Sequence, residues 1–474
     1  MEKEKEKISI DYIKEKLKNS YDVKYREIDC ALGVIFSVFI DDMCDSKFIS
    51  EYIFKPLMEN KTMTVDLEYI KKDVLSANVI GDINSNDEAI SHILAGDLVL
   101  IFTFANKAIY CEAKGYVRRG VGIPPTENVI KGPREGFTEA FVDNVALLRR
   151  KIKNSNLKFE TMILGAQSNT VVVLCYIEGV APRKLVDYIR KKVSKIKLEF
   201  ILDANYIETN LKNKNSAFDT IGTTEKPDVA ASKLLEGRIA IIVDGTPFVI
   251  TAPYFFLDNF QAPDDYYSNR YFANLSRIMR VLSFFSASLL SGLYVAIACF
   301  HFSLIPTVFA VKFTISRAGV PLPTVIELLL MTFFFQLLRE AGIRLPQSIG
   351  QSMSIVGALI LGDAAVGVGL ASQSTVVIVA LSSISSFLAP KLYGALAIWN
   401  IIIILFSSVL GLPGFYICFF IFISHLASLE SCGYSYLFPL GTLETFKFKD
   451  LLYRKDLSEI SNSIFDKDDY NEKV

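Results

Sequence analysis

Charge is what one long part of this chain lacks. Residues 281–442 carry only Lys312, Arg317, Glu327, Arg339, Glu340, Arg344, Asp363, Lys391 and Glu430, in a protein of 474 residues with 50 basic and 51 acidic side chains. A charge in hydrocarbon costs several kcal/mol, so a stretch this long and this neutral reads as membrane-embedded, and a wholly soluble protein is excluded. A basic excess is missing as well. Residues 1–280 balance 39 basic against 39 acidic residues, which excludes a nucleic-acid binder relying on counterion release. Histidine is scarce: His92, His301 and His425 lie too far apart for ligand spacing, so no histidine-based metal site is expected. The seven cysteines form no CxxC pair and read as small apolar fillers in a reducing compartment. GxxxxGK[ST], GxGxxG, GxSxG and HExxH are all absent, so neither an enzyme nor a cofactor has local support. The first ten residues hold no apolar run and hence no secretory signal.

What the neutral region does contain is apolar runs at 281–310, 353–371, 374–389, 392–410 and 412–429. About 20 apolar residues cross a bilayer, and the first run is the clearest span. The run at 325–338 is shorter, interrupted by Glu327 and flanked by Pro321, Pro323 and Arg339. It reads as a half-length or re-entrant piece within a broken element near 321–346. Arg270, Arg277 and Arg280 precede the first span, and Lys447, Lys449, Arg454 and Lys455 follow the last. Both termini are therefore expected in the cytoplasm, with four to six crossings and six preferred.

Ahead of the membrane region, strand patterns at 23–29, 34–40, 98–104, 108–113, 159–164, 170–177, 239–243 and 248–252 alternate with helical ones at 8–19, 47–59, 87–95, 134–152, 183–197 and 229–235. Phe141, Val145 and Leu148 share one face of the helix expected at 134–152. The basic helix at 183–197 presents either a solvated face or a membrane- or partner-binding one. No internal repeat is visible. The fold class is an α+β cytoplasmic N-terminal region of two mixed α/β subdomains, 1–115 and 116–275, followed by a polytopic α-helical membrane domain at 276–442 and a charged cytoplasmic tail at 443–474.

Specific motifs go further. IPPTENVIKGPREGFTEAFVDNVALLRRKIK at 123–153, TTEKPDVAASKLLEGRIAIIVDGTPFVITAP at 223–253, PDDYY at 263–267, GLYVAIACFHFSLIPT at 292–307, SRAGVPLPTVIE at 316–327, REAGIRLPQSIGQSMSIVGALILGDAAVGVGLAS at 339–372 and ESCGYSYLFPL at 430–440 resemble the A subunit of GerA-type spore germinant receptors. The resemblance covers roughly residues 115–440. It implies a multi-pass protein of the spore inner membrane that acts with a transporter-like B subunit and a lipoprotein C subunit. It further implies a homo-oligomer lining a nutrient-gated ion pathway that triggers germination. Gln336 replaces an acid common before REAG, Asp363 stands where an amide is usual, and Lys226 replaces an arginine.

The candidates for an ion pathway or its gating are Asp363, Glu327, Arg339, Glu340, Arg344, Ser382 and Ser386. Asp363 interrupts an apolar run and is expected to face protein, water or an ion, either as a pathway residue or as a structural acid paired with Arg339 or Arg344. Glu327, Arg339, Glu340 and Arg344 are expected to pair across the broken element as a clamp or a gate. Thr375, Ser382 and Ser386 recur at helical spacing and either offer hydroxyls to water or bond back to their own helix. Gly357, Gly362 and Gly369, with Ser354, Ala358 and Ala365, form ridges for close helix packing. A non-conducting scaffold or relay subunit and a stand-alone solute transporter are the competing functions. Transporters repeat their halves, and no half resembles another here.

Overall fold

The computed structural model describes residues 8–17, 23–30, 32–40, 44–60, 67–114, 124, 126–152, 154, 156–213, 216–345, 357, 360–440, 450 and 453–455. Ser354, Ala358, most of the tail and much of the loop at 118–125 lie outside them. The chain divides into two compact units, Met1–Arg119 and Gly120–Val474.

The first unit is built on five antiparallel strands, β1 (Val23–Cys30), β2 (Gly33–Ile40), β3 (Ile80–Ile83), β4 (Asp97–Phe102) and β5 (Lys107–Glu112), in the order β1-β2-β4-β5-β3. Strand β4 is buried along its whole length, as expected of a strand covered on both faces. Leu98, Leu100 and Phe102 join one core with Ile53 and Leu57 from helical turns at 46–59. Val99 and Ile101 point the other way, onto Ile13 of α1 (Ile10–Lys16) and Ile93 of α2 (Asn86–Leu94). Period-two alternation thus feeds two cores from one strand.

The second unit repeats this plan. Strands β6 (Leu157–Leu164), β7 (Thr170–Ile177), β8 (Gly222–Thr224), β9 (Ile239–Val243) and β10 (Val249–Ala252) follow the order β6-β7-β9-β10-β8, again wholly antiparallel. Counted from the start of each sheet, both read 1-2-4-5-3. The sequence shows no repeat, so the duplication survives only in topology. One face is covered by α4 (Arg183–Ser194) and α5 (Asn205–Leu211), the other by α3 (Phe141–Lys151) and α6 (Pro227–Leu235). The helix expected at 134–152 starts only at Phe141. Ahead of it the chain is held extended, with Phe137 N–H bonded to the Glu225 carbonyl at 2.7 Å and the Asn144 side chain bonded to the Thr138 backbone on both sides. Leu148 is buried as expected, with Phe141 and Val145 packed beside it. In α4, Leu185, Val186, Ile189 and Val193 turn inward, and Arg190 is tied to Glu160 at 2.8 Å.

From residue 270 the second unit is helical: α7 (Arg270–Phe300), α8 (Thr307–Arg317), α9 (Thr324–Arg344), α10 (residues 360–367), α11 (Gln373–Phe387), α12 (Tyr393–Leu410) and α13 (Leu412–Ser428). Among the described residues two stretches are long and apolar enough to cross a membrane, Arg270–Phe300 and Pro390–Leu410; Gln373–Phe387 and Leu412–Ser428 are apolar but shorter. Helix α7 packs against α11, α12 and α13. The expected break inside 321–346 is not there. Helix α9 runs unbroken for 21 residues, because Pro323 caps it and Pro321 precedes it, where a missing N–H costs nothing. The interruptions lie on either side, between α8 and α9 and between α10 and α11, and α8 with 11 residues is a short element.

Candidate functional site

Two regions of the second unit bring polar side chains together against the apolar trend. The first is the foot of the bundle, where the sheet hands over to α7. Arg277 is wholly buried; its Nε donates to Asp265 at 3.0 Å and its Nη1 to Asp450 at 2.6 Å. Arg280 adds bonds of 2.7 and 2.9 Å to Asp265. The chain leaving α13 returns to the same place: Ser431 Oγ donates to the Thr220 carbonyl at 2.6 Å and accepts from Tyr254 N–H at 2.9 Å. Nearby Arg238 forks onto Asp258 with bonds of 2.5 and 2.9 Å, and Lys233 reaches the same carboxylate at 3.1 Å. Burial opposes ionisation of Asp258, but the Arg238 and Lys233 charges outweigh it and hold the carboxyl far below its usual range. Burial pushes the Cys432 thiol up to about 12 against the lowering effects of Lys192 and Ser431, which leaves it inert.

A cavity of about 430 Å³ opens at this foot, with Glu127, Lys233, Tyr254, Tyr266, Lys391 and Asp450 among its walls. Lys391 belongs to the link between α11 and α12 and lies 3.3 Å from Glu127 of the soluble subdomain. Two residues on, the Tyr393 ring lies under the Arg339 guanidinium, and its hydroxyl donates to Gln336 Oε1. Lys226, fully buried, donates to the Pro133 carbonyl at 2.7 Å; a single ammonium donor is all this carbonyl needs.

The second region lies at the other end of the bundle. Glu327, in the first turn of α9, is wholly buried and accepts a hydrogen bond from Ser372 N–H, while its Oε2 has no hydrogen-bond partner among the described residues. Ser372 caps α11; its hydroxyl donates to Thr375 Oγ1 at 3.1 Å, and Thr375 meets the Tyr294 hydroxyl of α7 at 2.9 Å.

The structure therefore scatters the expected clamp. Glu327 sits far from Arg339, Glu340 and Arg344, at the opposite end of one helix. Only Glu340 and Arg344 pair, at 2.6 Å on an exposed surface, which contributes a few tenths of a kcal/mol. Arg339 lies over the Tyr393 and Phe387 rings, and its Nη1 finds no acceptor among the described residues. Asp363 is exposed on α10 and, among the described residues, pairs with neither Arg339 nor Arg344. Ser382 ties α11 to the Ala287 carbonyl of α7 at 3.1 Å, and Ser386 bonds back to its own helix at Ser383. A Cβ on Gly357 would press on Leu338, and one on Gly369 would lie 3.0 Å from the Gly319 carbonyl oxygen, whereas Gly362 has ordinary room. Sequence reasoning missed Tyr294 and Ser372 beside Glu327, and Asp265 and Asp450 beside Arg277. The signal available for the latter was an unusual density of acids and arginines at 264–280.

The chain holds two similarly wired α+β sandwiches, the second joined by buried ion pairs to an apolar helical bundle. The chain belongs to the family described as Bacillus/Clostridium GerA spore germination protein, whose model matches residues 11–463. It is 37% identical over 452 residues to spore germination protein KA of Bacillus subtilis (strain 168), covering 93% of this chain and 82% of that protein. It is 36% identical over 438 residues to the uncharacterized membrane protein YfkQ of the same strain, covering 91% and 85%, and 32% identical over 439 residues to GerLA of Bacillus cereus, covering 90% and 89%. The crystal structure of the N-terminal domain of the A subunit of the Bacillus megaterium spore germinant receptor GerK3 shares 32% identity, covering 52% of this chain and 94% of that one, with a TM-score of 0.23. The protein is a spore germination protein of this family and not an enzyme.

Proposed function

We propose that the chain is the A-type membrane subunit of a spore nutrient receptor, resident in the spore inner membrane, which oligomerises around a nutrient-gated ion pathway and works with a transporter-like B subunit and a lipoprotein C subunit. The family match along residues 11–463 carries this reading. Helix directions support a polytopic arrangement. Helix α7 leaves the foot, and α9 starts beside Ser372 and Tyr294 at the far end and finishes beside Tyr393 at the foot. Then α11 returns, α12 leaves from Lys391, and α13 comes back to Ser431. Five described helices thus run between the two ends, and the proposed arrangement has six passes, with the α+β region and the tail both on the cytoplasmic side. Asp363, exposed on a single subunit, suits a position facing an oligomer's water path or a neighbouring subunit.

The test is ion flux in proteoliposomes holding this chain with its B and C partners, with and without nutrient. Nutrient-dependent flux that vanishes without this chain is expected. Unchanged flux in its absence removes the conducting role. A non-conducting relay is the second reading, favoured by Thr375 and Ser382 being spent on contacts between helices.

A further inference from the structure

The polar knot around Glu327 is built for something the polypeptide does not supply. The carboxylate is fully buried in the bundle, and a buried charge without a partner is costly. An ionised carboxylate offers about four lone-pair positions, and here one is used, by Ser372 N–H. Among the described residues Oε2 meets no donor, and no lysine, arginine or histidine lies within ion-pair distance of it. Arg317, at the end of the preceding helix, lies over the Phe313 ring, and its charge and that of Glu327 both reach Tyr294, yet it forms no ion pair with the carboxylate.

From Ser372, which bonds this carboxylate, a chain of hydroxyls leads away. The Ser372 and Thr375 hydroxyls are 3.1 Å apart and the Thr375 and Tyr294 hydroxyls 2.9 Å apart, joining α7, α9 and α11 in one chain of contacts. The backbone is irregular at the same spot. Residues 368–372 break the path from α10 to α11, with Gly369 at φ 76°, where a Cβ would lie 3.0 Å from the Gly319 carbonyl oxygen in the α8–α9 link. Broken helices of this kind expose carbonyl oxygens that no helical N–H uses.

We propose that Glu327, Ser372, Thr375 and Tyr294 enclose a site for one dehydrated monovalent alkali cation, which supplies the missing charge at Oε2 and locks α7, α9 and α11 together. Hard oxygen donors suit such an ion. A divalent ion is the poorer fit, since one carboxylate leaves it half neutralised and, among the described residues, no three His, Cys, Asp or Glu side chains cluster around a metal position. The site does not rest on the chain conducting ions, because its readout is the stability of the purified subunit.

The test is thermal unfolding of the detergent-purified full chain at constant ionic strength, replacing choline chloride stepwise by lithium, sodium or potassium chloride. Ligand linkage requires the unfolding temperature to rise with the preferred cation. Glu327→Gln keeps the acceptor for Ser372 N–H and removes the charge, and it should abolish the cation dependence. Thr375→Val keeps the charge and should weaken half-saturation by about tenfold, the loss of one ligand worth about 1.4 kcal/mol. If Glu327→Gln does not fold, the Thr375→Val shift decides alone. An unfolding temperature indifferent to cation identity, or equal dependence in parent and variants, overturns the site. A response to pH without one to cations overturns it too, since a proton then takes the cation's place.

Discussion

Arg277 and Asp450 stand 173 positions apart in the chain and 2.6 Å apart in space. The contact fastens the segment beyond the last helix to the start of the first, with Asp265 as the third member. Arg277→Met leaves the partly buried Asp450 without its cation and the buried Asp265 with Arg280 alone, and should cost about 3–5 kcal/mol. Thermal unfolding of the purified chain measures it. Arg277→Lys should fall between, since an ammonium cannot reach both acids with fixed geometry.

The Arg238–Asp258 fork makes a pH-dependent contribution whose sign follows from its charges. Asp258 is held below its unfolded value of about 3.9. Its contribution is therefore complete above that value and is lost as pH falls through the folded one. Asp258→Asn should be clearly less stable than the parent at neutral pH, and the gap should shrink steadily as pH falls below about 4. A gap independent of pH counts against the pair.

Lys391 and Glu127 join the α11–α12 link to the soluble subdomain at 3.3 Å. With Lys391 41% exposed, the pair contributes no more than about 1 kcal/mol to stability, so its value lies in transmission. Lys391→Glu and Glu127→Lys should each slow nutrient-triggered germination while leaving protein abundance unchanged. The double reversal should restore it, and failure to do so would remove the coupling role.

Gly292 sits where α7 touches α12: a Cβ there would lie 2.5 Å from Ile403 Cγ2 and 3.3 Å from the Ile403 carbonyl carbon. Gly292→Ala should destabilise by about 1–3 kcal/mol through overpacking. Gly362→Ala, with 3.8 Å to its nearest neighbour, should be nearly neutral. Comparing the two by thermal unfolding separates close helix packing from general glycine loss.

Much of the fold was legible wherever a segment's own pattern decides it. Thr170–Ile177 and Ile239–Val243 read residue for residue, as aliphatic runs with few alternatives. The missed strands β3 and β8 are short edges that contain Gly81 and Gly222. A Cβ at either position would collide with the Tyr110 or Tyr254 ring, so the residue that permits pairing also erases the strand signal. The site divides the same way. Glu340–Arg344 is an i,i+4 pair and visible in sequence, whereas Glu327 meets Ser372 across 45 positions, and nothing local predicts which helix end arrives there.

The shared strand order has a consequence in time. In each sheet the third strand bonds, among the described residues, only to the fifth, β3 to β5 and β8 to β10, although another strand separates them in the chain. A chain emerging from the ribosome at Asp82 or Thr223 has an edge strand with no neighbour to join. That strand waits for about 25 further residues before its partner is synthesised, and non-local pairings of this kind close late. The same pause is written twice into one nascent polypeptide.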